Sequence, residues 1–176
     1  MDKILEYFIK EPEREFHVRE LARLAKRSPT TISRYLEKLK KENQLIPKKK
    51  LNHLLYKANT ENPFFKDEKL HYNIKNLRKS GLIDYLVDSF NNPEAIVLFG
   101  SFRKAEDTYQ SDIDILIVTP SKKKVDVSKF IHLIDHEIQL FIHSRKEIEE
   151  MKKTSKELMN NWINGIVLHG FWEVFR

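Results

Sequence analysis

Hydrophobic residues in the first third of the chain recur at the spacing of amphipathic helices. Apolar positions 4, 5, 8 and 9 share one face of a helix that must end before Pro12. The same spacing predicts a second helix near residues 18–25 and a third at about 29–43. Ser28 is suited to cap the third helix and Pro29 to open it, because proline is tolerated in a first helical turn. We therefore predict three consecutive helices.

Two short apolar segments, at residues 44–47 and 53–57, enclose a run of lysines. Apolar segments of this length, separated by a few polar residues, are typical of a β-hairpin. We predict that the loop of this hairpin is the basic tip Lys48-Lys49-Lys50-Leu51-Asn52. The three helices are thus followed by a basic hairpin.

The remaining residues alternate between helical and strand-like periodicity. The predicted elements are a helix at about 64–79, a helix at 82–90, strands at about 95–99 and 112–118, a short helix near 128–134, a strand at 137–142, a helix at 144–162 and a late strand at 165–170. Mixed strands with helices packed on one side of the sheet give an α+β fold.

The composition is that of a globular protein. The chain has 176 residues, of which 40% are hydrophobic and 33% charged. This length can hold two small domains or one medium domain. Its longest apolar runs are far below the roughly 20 residues that a membrane helix needs. The N-terminus lacks the long apolar segment of a signal peptide. We therefore expect a cytoplasmic protein without a membrane partner. Because cysteine is absent, disulfides and thiolate chemistry are excluded.

Positive charge is concentrated in the first sixty residues. Residues 1–60 carry 15 Lys and Arg against 8 Asp and Glu, whereas residues 61–176 carry 17 against 18. The formal net charge of +6 therefore originates in the segment with the three helices and the hairpin. Such asymmetry favours nucleic acid as a partner. A solvated lysine-rich surface is the alternative with the same composition.

The strands at 95–99 and 112–118 adjoin the residues with the clearest candidate chemistry. The first apolar run ends at Gly100-Ser101, and the second begins with Asp112 and Asp114. Positions two apart on a strand point to the same face, so the two carboxylates would lie close together and repel each other. A divalent cation would offset this repulsion, and the glycine–serine bend could present backbone N–H groups to a phosphate. The alternative is a strand with a solvated face and an ordinary turn.

This pattern resembles the signature of the DNA polymerase β-like nucleotidyltransferase superfamily, in particular its minimal nucleotidyltransferases. The resemblance covers roughly residues 90–170 and rests on Gly-Ser, ten further residues, and two aspartates separated by an apolar residue. It implies transfer of a nucleoside monophosphate from ATP or another nucleoside triphosphate to an acceptor hydroxyl. Asp112 and Asp114 are the implied catalytic residues and ligands of Mg²⁺ or Mn²⁺. The implied nucleotide-binding residues are Gly100, Ser101, Arg103 and Lys104.

Members of this superfamily carry a third carboxylate on the neighbouring strand, and here the chain departs from the pattern. Our preferred register places Gln139 at that position, where its carbonyl could still contact the nucleotide and its cation. A neutral amide cannot accept a proton at useful pH. Glu137 lies two residues earlier on the same face and could serve as the third catalytic carboxylate. The sequence leaves both possibilities open.

The three helices and the hairpin resemble the winged helix-turn-helix of small bacterial and archaeal transcription regulators. The resemblance is closest in segments 18–22 and 31–36. It implies that the third helix enters the major groove of double-stranded DNA and that the hairpin lysines follow the phosphate backbone. A role in dimerisation or partner docking is the alternative. The implied DNA-binding residues are Thr30, Thr31, Ser33, Arg34, Lys38, Lys48, Lys49 and Lys50.

We therefore predict two domains. A winged helix-turn-helix domain at residues 1–60 is followed by a helical connector at 61–90 and an α+β nucleotidyltransferase-fold domain with a mixed sheet at 91–176. The predicted function is Mg²⁺-dependent nucleotidyl transfer by a DNA-binding protein, which we expect to be a homodimer. Two alternatives are a transcriptional regulator whose transferase fold is weak or inactive and senses nucleotide, and an antitoxin-type protein that binds a partner protein.

Overall fold

The computed structural model describes residues 3–51 and 53–174. Its helices are α1 (Lys3–Lys10), α2 (Val18–Ala25), α3 (Pro29–Lys41), α4 (Pro63–Lys79), α5 (Leu82–Ser89), α6 (Gly100–Lys104), α7 (Ser128–Ile134), α8 (Arg145–Thr154) and α9 (Lys156–Ile163). Its strands are β1 (Phe16–His17), β2 (Leu45–Lys50), β3 (His53–Ala58), β4 (Ala95–Phe99), β5 (Ile113–Val118), β6 (Ile138–His143) and β7 (Ile166–Gly170). Met1–Tyr72 and Asn73–Arg176 form two compact units. Within the described ranges, no helix is both long enough and apolar enough to cross a membrane.

The first unit combines the three predicted helices with a three-stranded antiparallel sheet. Ser28 accepts a hydrogen bond from the Thr31 N–H at the start of α3, and Pro29 occupies the first turn, as the sequence predicts. A cap of this kind stabilises a helix by about 1 kcal/mol. The strand order is β1-β3-β2. Helices and sheet share one apolar core, whose buried members include Phe8, Phe16, Leu21, Ile32 and Leu36.

The hairpin is longer than predicted, and the prediction that its three lysines form the loop is wrong. Lys48, Lys49 and Lys50 belong to β2 and pair with the first residues of β3. Leu51 is in the turn, and Asn52 lies outside the described residues. Strand pairing joins backbone groups, and lysines are common on edge strands such as β2. Polarity alone therefore does not mark the end of the strand.

The second unit is built on a four-stranded sheet with the order β6-β5-β4-β7. Strand β4 pairs antiparallel with β5 and with β7, whereas β5 and β6 are parallel. The predicted mixed sheet is therefore confirmed. The sequence predicted that Asp112 is the first residue of this strand. Strand β5 instead begins at Ile113, so Asp112 lies directly before it.

Helices cover both faces of this sheet, so the prediction of helices on one side is wrong. On one face, Ile96 and Leu98 belong to a core shared with α5 and α7. On the other face, Val97 and Phe99 belong to a core shared with α8 and α9. Every residue of β4 is apolar and buried, which is typical of a strand covered on both sides.

The predicted helix at 144–162 is two helices, with the break at Ser155. Ser155 has φ −126° and ψ 53°, which is not helical, while its N–H bonds to the Met151 carbonyl. The apolar positions on either side of Ser155 keep helical spacing, so periodicity does not reveal the break. At the other end of α8, Ser144 and Glu147 form a reciprocal capping box.

Candidate functional site

Gly100 is the first residue of α6 and forms the bend that follows β4, directly against Asp114. Its φ of +70° lies in the left-handed region, which favours glycine. A Cβ atom built on Gly100 would stand 2.1 Å from Asp114 Oδ2. The preceding residue, Phe99, pairs with Asp114 in the sheet. The missing side chain of Gly100 therefore provides the space that the Asp114 carboxylate occupies.

Asp112 and Asp114 are close enough to influence each other. Both residues are half-buried. Burial raises the pKa of the Asp114 carboxyl, and the negative charge of Asp112 raises it further. Two partly desolvated carboxylates that repel each other favour a positively charged ligand between them.

Gln139 is the residue of β6 that pairs with Asp114. Its amide nitrogen donates a hydrogen bond to Asp112 Oδ2. Glu137 lies just before β6, where its carbonyl accepts a hydrogen bond from the Ile113 N–H at 2.8 Å. The Glu137 side chain is exposed. The structure thus brings the Gln139 side chain into contact with Asp112, and both Gln139 and Glu137 are exposed to solvent.

A pocket of about 330 Å³ opens beside Asp112 and is also lined by Glu137 and His136. Sequence reasoning gave His136 no role at this site. Its Nδ1 lies 2.9 Å from the Ser111 carbonyl oxygen and must donate, because a carbonyl only accepts. Its ring meets Phe102 edge-on, with centroids 4.8 Å apart. His136 therefore fixes the backbone just before Asp112, through a contact for which the sequence gives no local signal.

The predicted nucleotide-binding residues of α6 differ in their placement. Ser101 and Arg103 are half-buried, and Lys104 is exposed. The Nε atom of Arg103 is buried and has no hydrogen-bond partner among the described residues. Ser101 directly follows Gly100, the residue against which the Asp114 carboxylate lies. In the same ranges, no hydrogen bond or ion pair joins Arg103 or Lys104 to either aspartate.

The donor atoms of this site fit Mg²⁺ or Mn²⁺. Asp112 and Asp114 offer carboxylate oxygens, which hard divalent cations prefer. Across residues 3–51 and 53–174, no three His, Cys, Asp or Glu side chains come together in a group that could hold a metal ion. Asp112 and Asp114 would thus be the two charged groups that this site could offer to a cation. The phosphates of a nucleotide would have to supply others, as is usual for Mg²⁺.

The residues predicted to contact DNA are all exposed, on α3 and on β2. Thr30, Ser33 and Arg34 line a groove of about 550 Å³ between α2 and α3. Arg19, which sequence reasoning did not single out, lines the same groove. Lys48 forms an ion pair with Glu15 at 2.6 Å. One of the three hairpin lysines is therefore partly neutralised, and Arg19 adds positive charge beside α3.

Comparison with known proteins identifies a family match within the second unit. The model of the family described as polymerase beta, nucleotidyltransferase, matches residues 81–170, just over half of the 176 residues. The matched segment contains the whole mixed sheet, the Gly100 bend and both aspartates. No curated protein and no solved structure matches the chain. The chain therefore belongs to the polymerase β nucleotidyltransferase family.

Proposed function

We propose that the second unit binds ATP with Mg²⁺ or Mn²⁺ and transfers the adenylyl group to an acceptor hydroxyl. The observation that carries this proposal is the position of the Asp114 carboxylate against Gly100, beside Asp112. The arrangement supports the proposal because it places two acidic side chains next to a bend without a side chain. The Asp114 carboxylate fills the space that Gly100 leaves, so a cation held by the two carboxylates would stand beside the bend, where a triphosphate could share it.

The residues of the site have separable tasks in this reaction. Asp112 and Asp114 hold the cation, and Gly100 leaves room for the Asp114 carboxylate. The Ser101 hydroxyl donates a hydrogen bond to a phosphate oxygen, and Arg103 contributes positive charge along the triphosphate. A bound divalent cation would screen the phosphates and polarise the phosphorus under attack.

The transfer exchanges one phosphorus–oxygen bond for another. The acceptor oxygen attacks the α-phosphorus, and the bond from that phosphorus to the bridging oxygen breaks. Pyrophosphate leaves with the electron pair of the broken bond. Glu137, which lines the pocket beside Asp112, takes the proton of the acceptor hydroxyl in this proposal. Its exposed position leaves space for the acceptor.

Replacing either aspartate by asparagine tests the assignment. Asp112→Asn and Asp114→Asn are each expected to reduce Mg²⁺-dependent ATP binding and label transfer by more than about 10-fold, since losing even an outer-shell partner of a metal ligand costs that much. Asparagine keeps one oxygen that can ligate but loses the charge. Binding is measured by calorimetry, and transfer by incubation with α-labelled ATP, alone and with candidate acceptors.

Asp84→Asn is the matched control for these variants, because Asp84 is exposed on α5. It is expected to behave as the wild type. ATP binding and label transfer at the wild-type level in both site variants would remove Asp112 and Asp114 from the site.

A second candidate function is supported by the hydrogen bond from Gln139 to Asp112. This hydrogen bond engages one oxygen of Asp112 with a neutral amide. A carboxylate in place of Gln139 would instead help to activate the acceptor. On this basis the chain would be a transcriptional regulator that senses nucleotide without transferring it. Metal-dependent ATP binding without label on any acceptor would favour the regulator over the transferase.

The proposal includes the first unit as a winged helix-turn-helix that binds double-stranded DNA. It is supported by the element order α1-β1-α2-α3-β2-β3 and by the exposed polar side chains of α3. Helix α3 enters the major groove, where Thr30, Ser33 and Arg34 meet base edges and phosphates. Lys49 and Lys50 follow the phosphate backbone and supply affinity that does not depend on sequence.

Replacing the three hairpin lysines by alanine tests the DNA interface. The variant Lys48→Ala/Lys49→Ala/Lys50→Ala is expected to weaken binding to all DNA sequences alike. The slope of log K against log salt should fall by about 2, since each lost phosphate contact removes about 0.9. Lys48 contributes little to this slope because Glu15 already pairs with it. Fluorescence anisotropy with labelled duplexes at several salt concentrations measures the slope.

The second unit offers a matched control for this experiment. Lys122, Lys123 and Lys124 are also exposed, and Lys122 is likewise paired, with Glu147. Their replacement by alanine removes the same charge and is expected to leave the salt slope unchanged. A slope that the hairpin variant does not alter would mean that the hairpin faces away from DNA.

A further inference from the structure

Gln139 pairs with Asp114 in the sheet and donates a hydrogen bond to Asp112. It lies opposite Asp114 across the parallel strands β5 and β6. Its Nε2 donates a hydrogen bond to Asp112 Oδ2. An ionised carboxylate only accepts hydrogen bonds, so the amide must direct its nitrogen, not its oxygen, to Asp112. One oxygen of Asp112 is therefore engaged by a neutral donor.

An amide nitrogen in this position cannot assist a second cation. It carries no charge and has no electron pair available for a metal. Asp112 and Asp114 are two charged side chains, enough to anchor one divalent cation together with the phosphates of a nucleotide. Glu137 is exposed at the pocket, and in the part of the chain that the structure describes, no three acidic or histidine side chains surround a metal position.

We infer that this site holds a single divalent cation with the nucleotide, and that Gln139 is a positioning residue that orients Asp112 toward it. The inference rests on the proposed function, because it concerns how the same two aspartates bind the cation. The hydrogen bond restricts Asp112 before the cation arrives, so less side-chain freedom is lost on binding. The acceptor hydroxyl would then lose its proton to Glu137 without a second cation beside it.

Counting bound Mn²⁺ tests this inference directly. Mn²⁺ is titrated into the full chain saturated with an ATP analogue whose methylene bridge between the α- and β-phosphorus prevents transfer. Electron paramagnetic resonance of the free ion gives the amount bound. The wild type is expected to bind one Mn²⁺ per chain, and Gln139→Glu twice that number. Gln139→Leu is expected to bind one, with an affinity about 10–100-fold lower because the support of Asp112 is lost.

Gln110→Glu is the charge-matched control. Gln110 is exposed and lines the same pocket as Asp112, but it does not pair with Asp114. It is expected to leave the count at one. If Gln139→Glu fails to show native circular dichroism, the affinity of Gln139→Leu decides the role of Gln139.

The possible failures are distinguishable. Two Mn²⁺ ions on the wild type, or an unchanged count in folded Gln139→Glu, would overturn the inference and leave the proposed function in place. Wild-type affinity in Gln139→Leu would overturn the positioning role. A wild type that binds no Mn²⁺ beyond that held by the analogue alone would overturn the proposed function itself.

Discussion

Gly100→Ala is expected to abolish metal-dependent nucleotide binding, with a loss of at least about 100-fold in affinity. The new Cβ would lie 2.1 Å from Asp114 Oδ2, far inside contact distance, so the carboxylate must leave its position. The clashing atom is the end of a side chain, and Asp114 can turn away without unfolding the sheet. The left-handed φ of +70° adds about 1–2 kcal/mol of backbone strain. Calorimetric titration with Mn²⁺ and a non-transferable ATP analogue measures the loss.

Gly81→Ala separates the effect of strain from the effect of the clash. Gly81 has a similar φ of +78°, but nothing lies within 4 Å of the position that a Cβ atom would occupy there. This control should lose about 1–2 kcal/mol of unfolding free energy and keep wild-type nucleotide affinity. If Gly100→Ala also kept that affinity, the Asp114 carboxylate could not lie against Gly100 when nucleotide is bound, and the assigned site would be wrong.

The elements that could be predicted from the sequence are those whose apolar residues follow one period. Helix α3 combines such a period with a Ser28 cap and Pro29 in its first turn, so its start is confirmed to the residue. The end of β2 and the break at Ser155 could not be predicted. Both depend on backbone hydrogen bonding, which hydropathy does not record.

The segments that carry the candidate site could be recognised because Gly100, Asp112 and Asp114 lie close together in sequence. The position of Gln139 on the neighbouring strand could also be predicted, and Gln139 does pair with Asp114 across β5 and β6. The contacts that could not be predicted are the hydrogen bonds from Gln139 to Asp112 and from His136 to Ser111, which join residues 27 and 25 positions apart. They depend on which rotamer each side chain adopts, and local spacing does not encode that.

Trp162 of α9 packs beneath the strand that leads to Gly100. It is fully buried, and its ring lies 6.3 Å from that of Phe99 and 5.2 Å from that of His143. Its indole N–H finds no hydrogen-bond partner among the described residues. Its contribution to stability must therefore come from the volume of the ring, because a buried donor without a partner costs about 1–3 kcal/mol.

Trp162→Ala is expected to lower the free energy of unfolding by about 3–5 kcal/mol, because it leaves a large cavity against Phe99. Trp162→Phe is expected to cost less than about 2 kcal/mol, since phenylalanine fills most of the volume and removes the unpaired N–H. Trp172→Ala makes the same change at a half-buried position and should cost less than about 2 kcal/mol. Urea denaturation followed by far-UV circular dichroism measures all three. Equal losses in Trp162→Phe and Trp162→Ala would mean that the indole N–H has a partner in the folded protein, and that the packing of Trp162 against Phe99 is not what stabilises this unit.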